Sequence, residues 1–375
     1  MEKDHSAILQ RIQRRLEAAY PHTKEALERL QGETKLTFYF GIDPTSPQVH
    51  MGHTIPLLLL KNIAQLGHPV TVLIGGFTAQ IGDPTGKENT RQQLTQDEVQ
   101  KNAETYIAQV QRIFEGVPFT TQDNITWLAS MDLREVIKLA SQVTVQQMLA
   151  RDMFQERIKQ EKPIFLHEFL YPLLHGYDSV AMKTDGEVGG NDQTFNMLVG
   201  RELVKELLGK DKIVLTTKLL ADPGTGKKMS KSEGDVIAID DPPQEIRRKL
   251  LQMDDSIIKS AFELCTEKDQ TEIDSLITQG ESPKEWKEEL AKELVRMYQG
   301  QAATLQIHED QKIKGTGTLL TTLMAAGVIV SKSEGKTLID QKGITLNDQV
   351  VEDWNQTDKS GDRIRIGKGK SFTIS

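Results

Sequence analysis

The sequence predicts an α/β chain in three parts: a domain on a parallel sheet, an all-helical domain, and a small α+β module. Three observations predict it. Two β-rich apolar runs, 37–42 and 70–75, flank a helical run from 54 to 65, which is the spacing of a βαβ unit and of a Rossmann-like nucleotide-binding domain. Past 234 the patterning is helical through Tyr298. The tail turns glycine-rich and β-prone, at 342–347 and again at 362–367. The parts are placed at 1–234, 235–315 and 316–375.

Taken in order, Ile8, Ile12, Leu16 and Ala19 recur at helical spacing, so one amphipathic helix is predicted over 6–31. The strand 37–42 ends at Asp43-Pro44. The strand 70–75 is apolar on both faces, as a central parallel strand should be. Residues 92–160 are polar and helical by pattern and read as an insertion between two half-folds, with its connective part near 115–170. The second half holds a helical pattern from Phe165 to Tyr177, a turn at Gly189-Gly190, the strand 213–215, and a loop of glycines and lysines from Asp222 to Gly234. Asp241-Pro242-Pro243 opens the next helix, with proline just past a capping carboxylate.

Composition narrows the function classes. At 375 residues the chain exceeds one typical core. A net charge of -8 means that an RNA would be met by local basic patches, not by the field of the whole molecule. Cys265 is the only cysteine, which excludes a disulfide framework and a cysteine-rich zinc site. It lies in the apolar run Ala261 to Cys265 and reads as a core residue. No apolar stretch approaches about 18 residues, so no membrane span is expected. The first residues carry mixed charge without a signal-peptide core, and a reducing cytoplasm is the expected setting.

Two motifs carry phosphate chemistry. His50-Met51-Gly52-His53 follows a strand and opens a helix. Gly52 lets backbone approach a ligand, the helix N-terminus offers N–H groups and a positive dipole end, and two imidazoles can donate to phosphate oxygens. A metal pair or two surface histidines is the alternative, although no third ligand sits nearby. Lys228-Met229-Ser230-Lys231-Ser232 stands on a glycine-flanked loop that can close on a polyphosphate; a solvated basic loop is its alternative.

Together, in this order and separation, the two motifs resemble the double hallmark of class I aminoacyl-tRNA synthetases. Four further segments are similar to tyrosyl-tRNA synthetases of the bacterial type: Tyr39 to Thr45; Gly82 to Lys87 with Arg91; Tyr171 with Asp178; and Gly189 to Gln193. The resemblance is continuous from about 35 to 240 and weaker beyond. Ser331 to Asp348 resembles a small RNA-binding module shared with certain ribosomal proteins, and the helical part corresponds to an anticodon-binding domain.

The resemblance implies roles. Tyr39 and Asp178 bond the substrate phenol, Asp83 and Tyr171 hold its ammonium, and Gln193 lies near its carboxylate. Asp43, Gly190 and Asp192 face the nucleotide, as do Gly52, Met229 and Ser230 within the two motifs. Thr45, His50 and His53 bind phosphate, and Lys87, Arg91, Lys228 and Lys231 close over pyrophosphate. The tyrosine assignment is chemically sensible: a phenol offers one donor and one acceptor, Asp178 accepts and Tyr39 donates. A core aromatic and a helix-surface carboxylate are the respective alternatives, and the apolar neighbours Leu173, Leu174 and Val180 argue that Asp178 is buried. His175 stands where the family commonly has glutamine. A neutral imidazole accepts from an ammonium and a protonated one repels it, so this position bears on tyrosine affinity and its pH dependence. Pro56 stands where some members have threonine.

The resemblance thus implies ATP-dependent ligation of L-tyrosine to tRNA(Tyr) through a tyrosyl-adenylate, with Mg2+ on the phosphates and no other metal site. It further implies a homodimer paired through the connective insertion, including Val143, Met148, Leu149, Met153 and Phe154. The competing readings are a synthetase-like RNA-binding protein that has lost ligation, and a class I ligase for another amino acid.

Overall fold

The computed structural model describes residues 5–83, 94–221, 236–279, 282–307, 311–367 and 370–375. Its contacts divide the chain into two compact units, Met1–Asp240 with Asp254–Glu281, and Asp241–Met253 with Ser282–Ser375.

The first unit opens with α1 (His5–Arg15), β1 (Leu16–Tyr20) and α2 (Thr23–Gln31). Here the structure differs from the single helix that spacing predicts. Leu16 and Ala19 fit a helical stripe, but residues 16–20 pair antiparallel with β6 (Ile213–Thr217), and Pro21 disfavours helix at the residue before it. The remaining strands are β2 (Phe38–Ile42), β3 (Val70–Ile74), β4 (Thr120–Asp123) and β5 (Gly186–Gly190). They form one sheet in the order β1-β6-β5-β2-β3-β4, with β2 to β6 mutually parallel. β4 lies in the segment read as helical; its sequence, Thr-Thr-Gln-Asp, has no apolar alternation because it is a largely exposed edge strand. Gly189-Gly190, read as a turn, is the end of β5.

Helix α3 (Met51–Gln65) links β2 to β3, and Leu57 to Leu60 are all fully buried. A helix apolar all round must be covered on both sides. The sheet lies on one side, and α1 and α13 (Ile258–Cys265) pack on α3 as well. Arg15 fastens this layer: it is buried, donates to the carbonyls of Leu264 and Thr266, and donates to the Asn62 side chain (2.6 Å). Cys265 is buried with its thiol pushed up to about 12 by that burial, in keeping with a core residue.

Between β3 and β5 run α4 (Thr78–Ile81), α5 (Gln96–Ile113), α6 (Ile125–Leu128), α7 (Leu133–Ala140), α8 (Val145–Leu149), α9 (Asp152–Lys159) and α10 (His167–Met182). Met148 and Phe154, expected at a subunit interface, are instead buried inside the unit, where Met148 packs in one cluster with Leu173, Leu174 and Leu203. A 3-10 turn (Asn191–Gln193) and α11 (Thr194–Leu208) lead from β5 to β6, and α14 (Gln270–Gln279) comes after α13.

The second unit contains α12 (Pro243–Gln252) and α15 (Pro283–Gln299), joined by a forked ion pair between Arg247 and Glu288. It also contains β7 (Gln311–Ile313), α16 (Leu319–Ala325), α17 (Lys332–Asp340), β8 (Ile344–Leu346), β9 (Gln349–Val350), β10 (Arg363–Ile366) and β11 (Lys370–Ile374). These strands form a sheet in the order β7-β11-β10-β8-β9 around a core that includes Leu319, Leu323, Ile344 and Ile364.

Candidate active site

In the first unit, the chain leaves β2 towards β3 and β4 on one side, while β5 and β6 lie on the other. The carboxyl ends of parallel strands at such a reversal form a crevice where ligands bind. Most of the described candidates lie at these ends or on α10.

At the start of α3, His50 is the N-cap. Its Nδ1 accepts from the Gly52 amide (3.1 Å), and His53 Nδ1 accepts from the His50 amide (3.4 Å). The two rings stack with centroids 3.6 Å apart. A ring whose Nδ1 accepts from backbone carries its neutral-form proton on Nε2, so both imidazoles present donors of the kind a phosphate needs. Pro56 withholds the amide that would bond the Gly52 carbonyl within the helix. The segment around His50 is also pinned from the other motif's side of the sequence: Met51 N–H donates to Ile237 O (2.8 Å), and Ile239 N–H to Val49 O (3.0 Å).

Just past β2, Asp43 accepts from Thr78 Oγ1 (2.7 Å) and Tyr171 Oη (2.9 Å). Burial pushes its carboxyl up to about 6, against the pull of those two donors. A methyl on Gly75 would stand 1.9 Å from an Asp43 oxygen, so only glycine lets the end of β3 run beside this carboxylate. The Thr45 amide donates to the Asp43 carbonyl (2.7 Å). Gln193 donates to Asp83 (2.7 Å) and accepts from Asn196 (2.8 Å). Gly190 caps the 3-10 turn that carries exposed Asp192.

Deeper in, Tyr39 and Asp178 are 1% and 4% exposed. Asp178 accepts from Trp127 Nε1 (2.8 Å) and Asn124 Nδ2 (3.1 Å). Burial pushes its carboxyl up to about 7, opposed by His175, Trp127 and Asn124. Tyr39 Oη shares a hydrogen bond of 2.7 Å with Ser179 Oγ. His175 Nε2 meets Glu187 Oε1 at 2.7 Å, and Glu187 also pairs with buried Lys212. Burial raises the Glu187 carboxyl, but Lys212 and His175 overcome this and hold it down at about 2.

The structure therefore brings Tyr39, Asp43, Tyr171, His175 and Asp178 into one polar cluster, with Asp83 and Gln193 bonded to each other. Tyr171 bonds Asp43, while Asp83 is taken by Gln193. Lys87, Arg91, Lys228, Met229, Ser230 and Lys231 lie outside the described residues. Sequence reasoning missed Thr78, Asn124, Trp127, Ser179, Glu187 and Lys212. One signal was available, a charged Glu187 inside a buried strand.

The family model "tRNA synthetases class I (W and Y)" matches residues 31–312. The chain is 39% identical over 369 residues to Tyrosine--tRNA ligase 2 of Clostridium acetobutylicum, covering 92% of both chains. It is 38% identical over 380 residues to Tyrosine--tRNA ligase of Carboxydothermus hydrogenoformans, covering 93% of this chain and 92% of that one. Among solved structures it is similar in fold to a C-terminally truncated mitochondrial tyrosyl-tRNA synthetase of Aspergillus nidulans. The TM-score is 0.69 at 23% identity, over 80% of this chain and 92% of that one.

Proposed function

The chain belongs to the class I tRNA synthetases of tryptophan and tyrosine, and from that membership we propose that it activates L-tyrosine with ATP and joins it to tRNA(Tyr). The observation that carries the choice of amino acid is Asp178: a buried carboxylate, held by two donors, beside the hydroxyl-bearing Tyr39. Such a pair offers a phenol an acceptor and a donor. An amino acid lacking the hydroxyl leaves a buried charged acceptor unmatched.

Tyr171 and Asp83 hold the ammonium, His175 stands beside them, and Gln193 meets the carboxylate. Asp43, Gly190 and Asp192 face the nucleoside, with Gly52 letting the backbone approach. Thr45 and the Nε2 protons of His50 and His53 meet the phosphates at the positive end of α3. Lys87, Arg91, Lys228 and Lys231, with Met229 and Ser230 between the last two, close over pyrophosphate.

The tyrosine carboxylate, already ionised, attacks the α-phosphorus in line; the bond to pyrophosphate breaks. A terminal ribose hydroxyl of the tRNA then attacks the adenylate carbonyl, forming the ester and releasing AMP. Neither step needs a side-chain nucleophile, so catalysis rests on positioning and charge stabilisation. Mg2+ would come with ATP, held mainly by phosphate oxygens, and no step here is routed through it.

The enzyme works as a homodimer. Leu133, Ile137, Val145 and Leu166 in the connective insertion are 73%, 61%, 63% and 77% exposed, a density of apolar side chains that a second copy would cover. The C-terminal module binds RNA through exposed Arg363 and Arg365 and the platform made by Lys336 over Trp354 (4.4 Å). No helix among the described residues is long and apolar enough to cross a membrane, and the cytoplasm is the setting that the mixed-charge first residues and the single cysteine support.

Exchange of labelled pyrophosphate into ATP, run with each proteinogenic amino acid, tests the reading. Tyrosine alone should support exchange; exchange driven by another amino acid, or by none, would reject it.

A further inference from the structure

Behind the amino-acid pocket, three ionisable side chains from three elements form one hydrogen-bonded chain. Lys212, leading into β6, is fully buried; its ammonium bonds Glu187 on β5 and donates to Ser179 Oγ (2.6 Å). Glu187, 1% exposed, reaches His175 Nε2 on α10 through its other oxygen (2.7 Å). The helix crossing is shaped for the lysine. A methyl on Gly200 would stand 2.7 Å from Lys212 Nζ and 3.1 Å from Gly176 Cα, so the meeting of α10 and α11 at two glycines leaves the slot that the ammonium fills.

Stability alone is a weak reason for such a chain. Desolvating a lysine and a glutamate costs several kcal/mol per ion, and apolar residues of similar volume often serve a core as well or better. The chain does touch the pocket at two points. Ser179 bonds Tyr39, and His175 lies beside Tyr171, ring centroids 6.2 Å apart. The His175 side chain keeps 15% exposure against 2% for Glu187 and 0% for Lys212, so the imidazole is the most accessible of the three ionisable groups.

Resting on the tyrosine reading above, we propose that Lys212 and Glu187 are positioning residues that set the proton state of His175, so that capture of the substrate ammonium requires the neutral imidazole. Lys212 keeps Glu187 ionised. The neutral ring then gives its single proton to Glu187 from Nε2 and turns an Nδ1 lone pair to the ammonium. The imidazolium has no lone pair and repels the same group. Tyrosine and a proton thus compete at His175.

The charges around the ring make this competition tunable. Burial lowers the His175 pKa, but Glu187 from β5 and Asp178 from the same helix raise it above its ordinary value, and Lys212 from β6 pulls it back down. Asp43 at the end of β2 also interacts with His175, Tyr39 of β2 interacts with Glu187 and Asp178, and Arg201 of α11 acts on Lys212. Removing the positive charge at 212 should therefore move the His175 transition to higher pH. Removing the negative charge at 187 should move it lower.

The test begins with the wild-type enzyme, by tracking the His175 imidazole in a 15N-labelled sample across pH, with and without saturating tyrosine and no ATP; His175→Gln identifies the signal. Nδ1 should show the shift of an unprotonated nitrogen in the complex, and tyrosine should move the His175 transition to lower pH. The tyrosine dissociation constant should rise by about tenfold per pH unit below the free-enzyme transition, and His175→Gln should lose that dependence. Lys212→Met should shift the transition up in pH and Glu187→Gln down, with Lys212→Arg restoring it; a merely structural lysine would leave the transition in place. A His175 titration unmoved by bound tyrosine, or an imidazolium in the complex, overturns the inference while leaving the function intact. Absence of tyrosine binding and of tyrosine-dependent exchange would instead reject the function.

Discussion

The hydroxyl of Tyr171 donates to Asp43 Oδ2 at 2.9 Å, tying the helix that carries the amino-acid pocket to the carboxylate at the end of β2. Asp43 stands at about 6 because burial raises it, while the Tyr171 and Thr78 hydroxyls pull it down. Tyr171→Phe removes one of those donors. The acid limb of the adenylation rate should move towards neutral pH. Tyrosine KM should rise roughly ten- to hundredfold, the loss of one hydrogen bond to a charged group. An unchanged acid limb in the pH–rate profile would separate Asp43 from the chemistry.

Asp178 trades stability for recognition. Burial raises its carboxyl from 3.8 to about 7, so the folded chain binds the proton more tightly than the unfolded chain does. Stability therefore falls as pH rises from about 4 to about 7, and above that the full cost, on the order of 4 kcal/mol, is present. Asp178→Asn should be more stable than wild type in urea unfolding at pH 8, and the difference should close towards pH 4. A difference constant across this range would contradict a charge whose burial outweighs its two hydrogen-bond donors. Glu187, held low by Lys212 and His175 against the effect of burial, contributes a slope of opposite sign, confined to lower pH.

The exposed apolar residues of the connective insertion give a direct test of assembly. Ile137→Glu with Leu166→Glu should convert a dimer to a monomer in sedimentation at micromolar concentration while each subunit keeps its fold by circular dichroism, since neither side chain is buried within its own subunit. A wild-type monomer under the same conditions would overturn the dimer.

Arg363 and Arg365 lie exposed on β10. Replacing both with alanine should leave pyrophosphate exchange near normal and weaken tRNA charging. The salt dependence of tRNA binding should also become shallower, because fewer phosphate contacts release fewer counterions. Loss of exchange in the double variant would place these arginines outside an RNA-binding role.

Much of this architecture is legible in the sequence where burial is one-sided or complete. β2, α3 and β3 announce themselves because each is apolar enough to need covering. β1 does not, because Leu16 and Ala19 satisfy a helical stripe as well as a strand; pairing with β6, almost two hundred residues away by register, decides the matter. β4 is hidden by its polarity at the sheet edge. In the site, His50, His53, Tyr39 and Asp178 stand out through motif and resemblance. Trp127 and Asn124 do not, since they lie in a polar stretch read as insertion, and their use as donors appears only when β4 ends beside α10. Lys212 is the hardest to foresee: a lysine in Gly-Lys-Asp-Lys looks solvated, and only the Gly176–Gly200 crossing buries it.

Reading of the phenol through Asp178, with help from Tyr39, is the central claim. It is tested most directly by comparing the specificity constants for tyrosine and phenylalanine in pyrophosphate exchange, for wild type, Tyr39→Phe and Asp178→Asn. Wild type should prefer tyrosine strongly, and Tyr39→Phe, which removes a donor, should lose a modest part of that preference. Asp178→Asn, which removes the charged acceptor, should suffer a far larger loss of tyrosine use, roughly ten- to hundredfold. Wild-type tyrosine use and wild-type preference in both variants would contradict it.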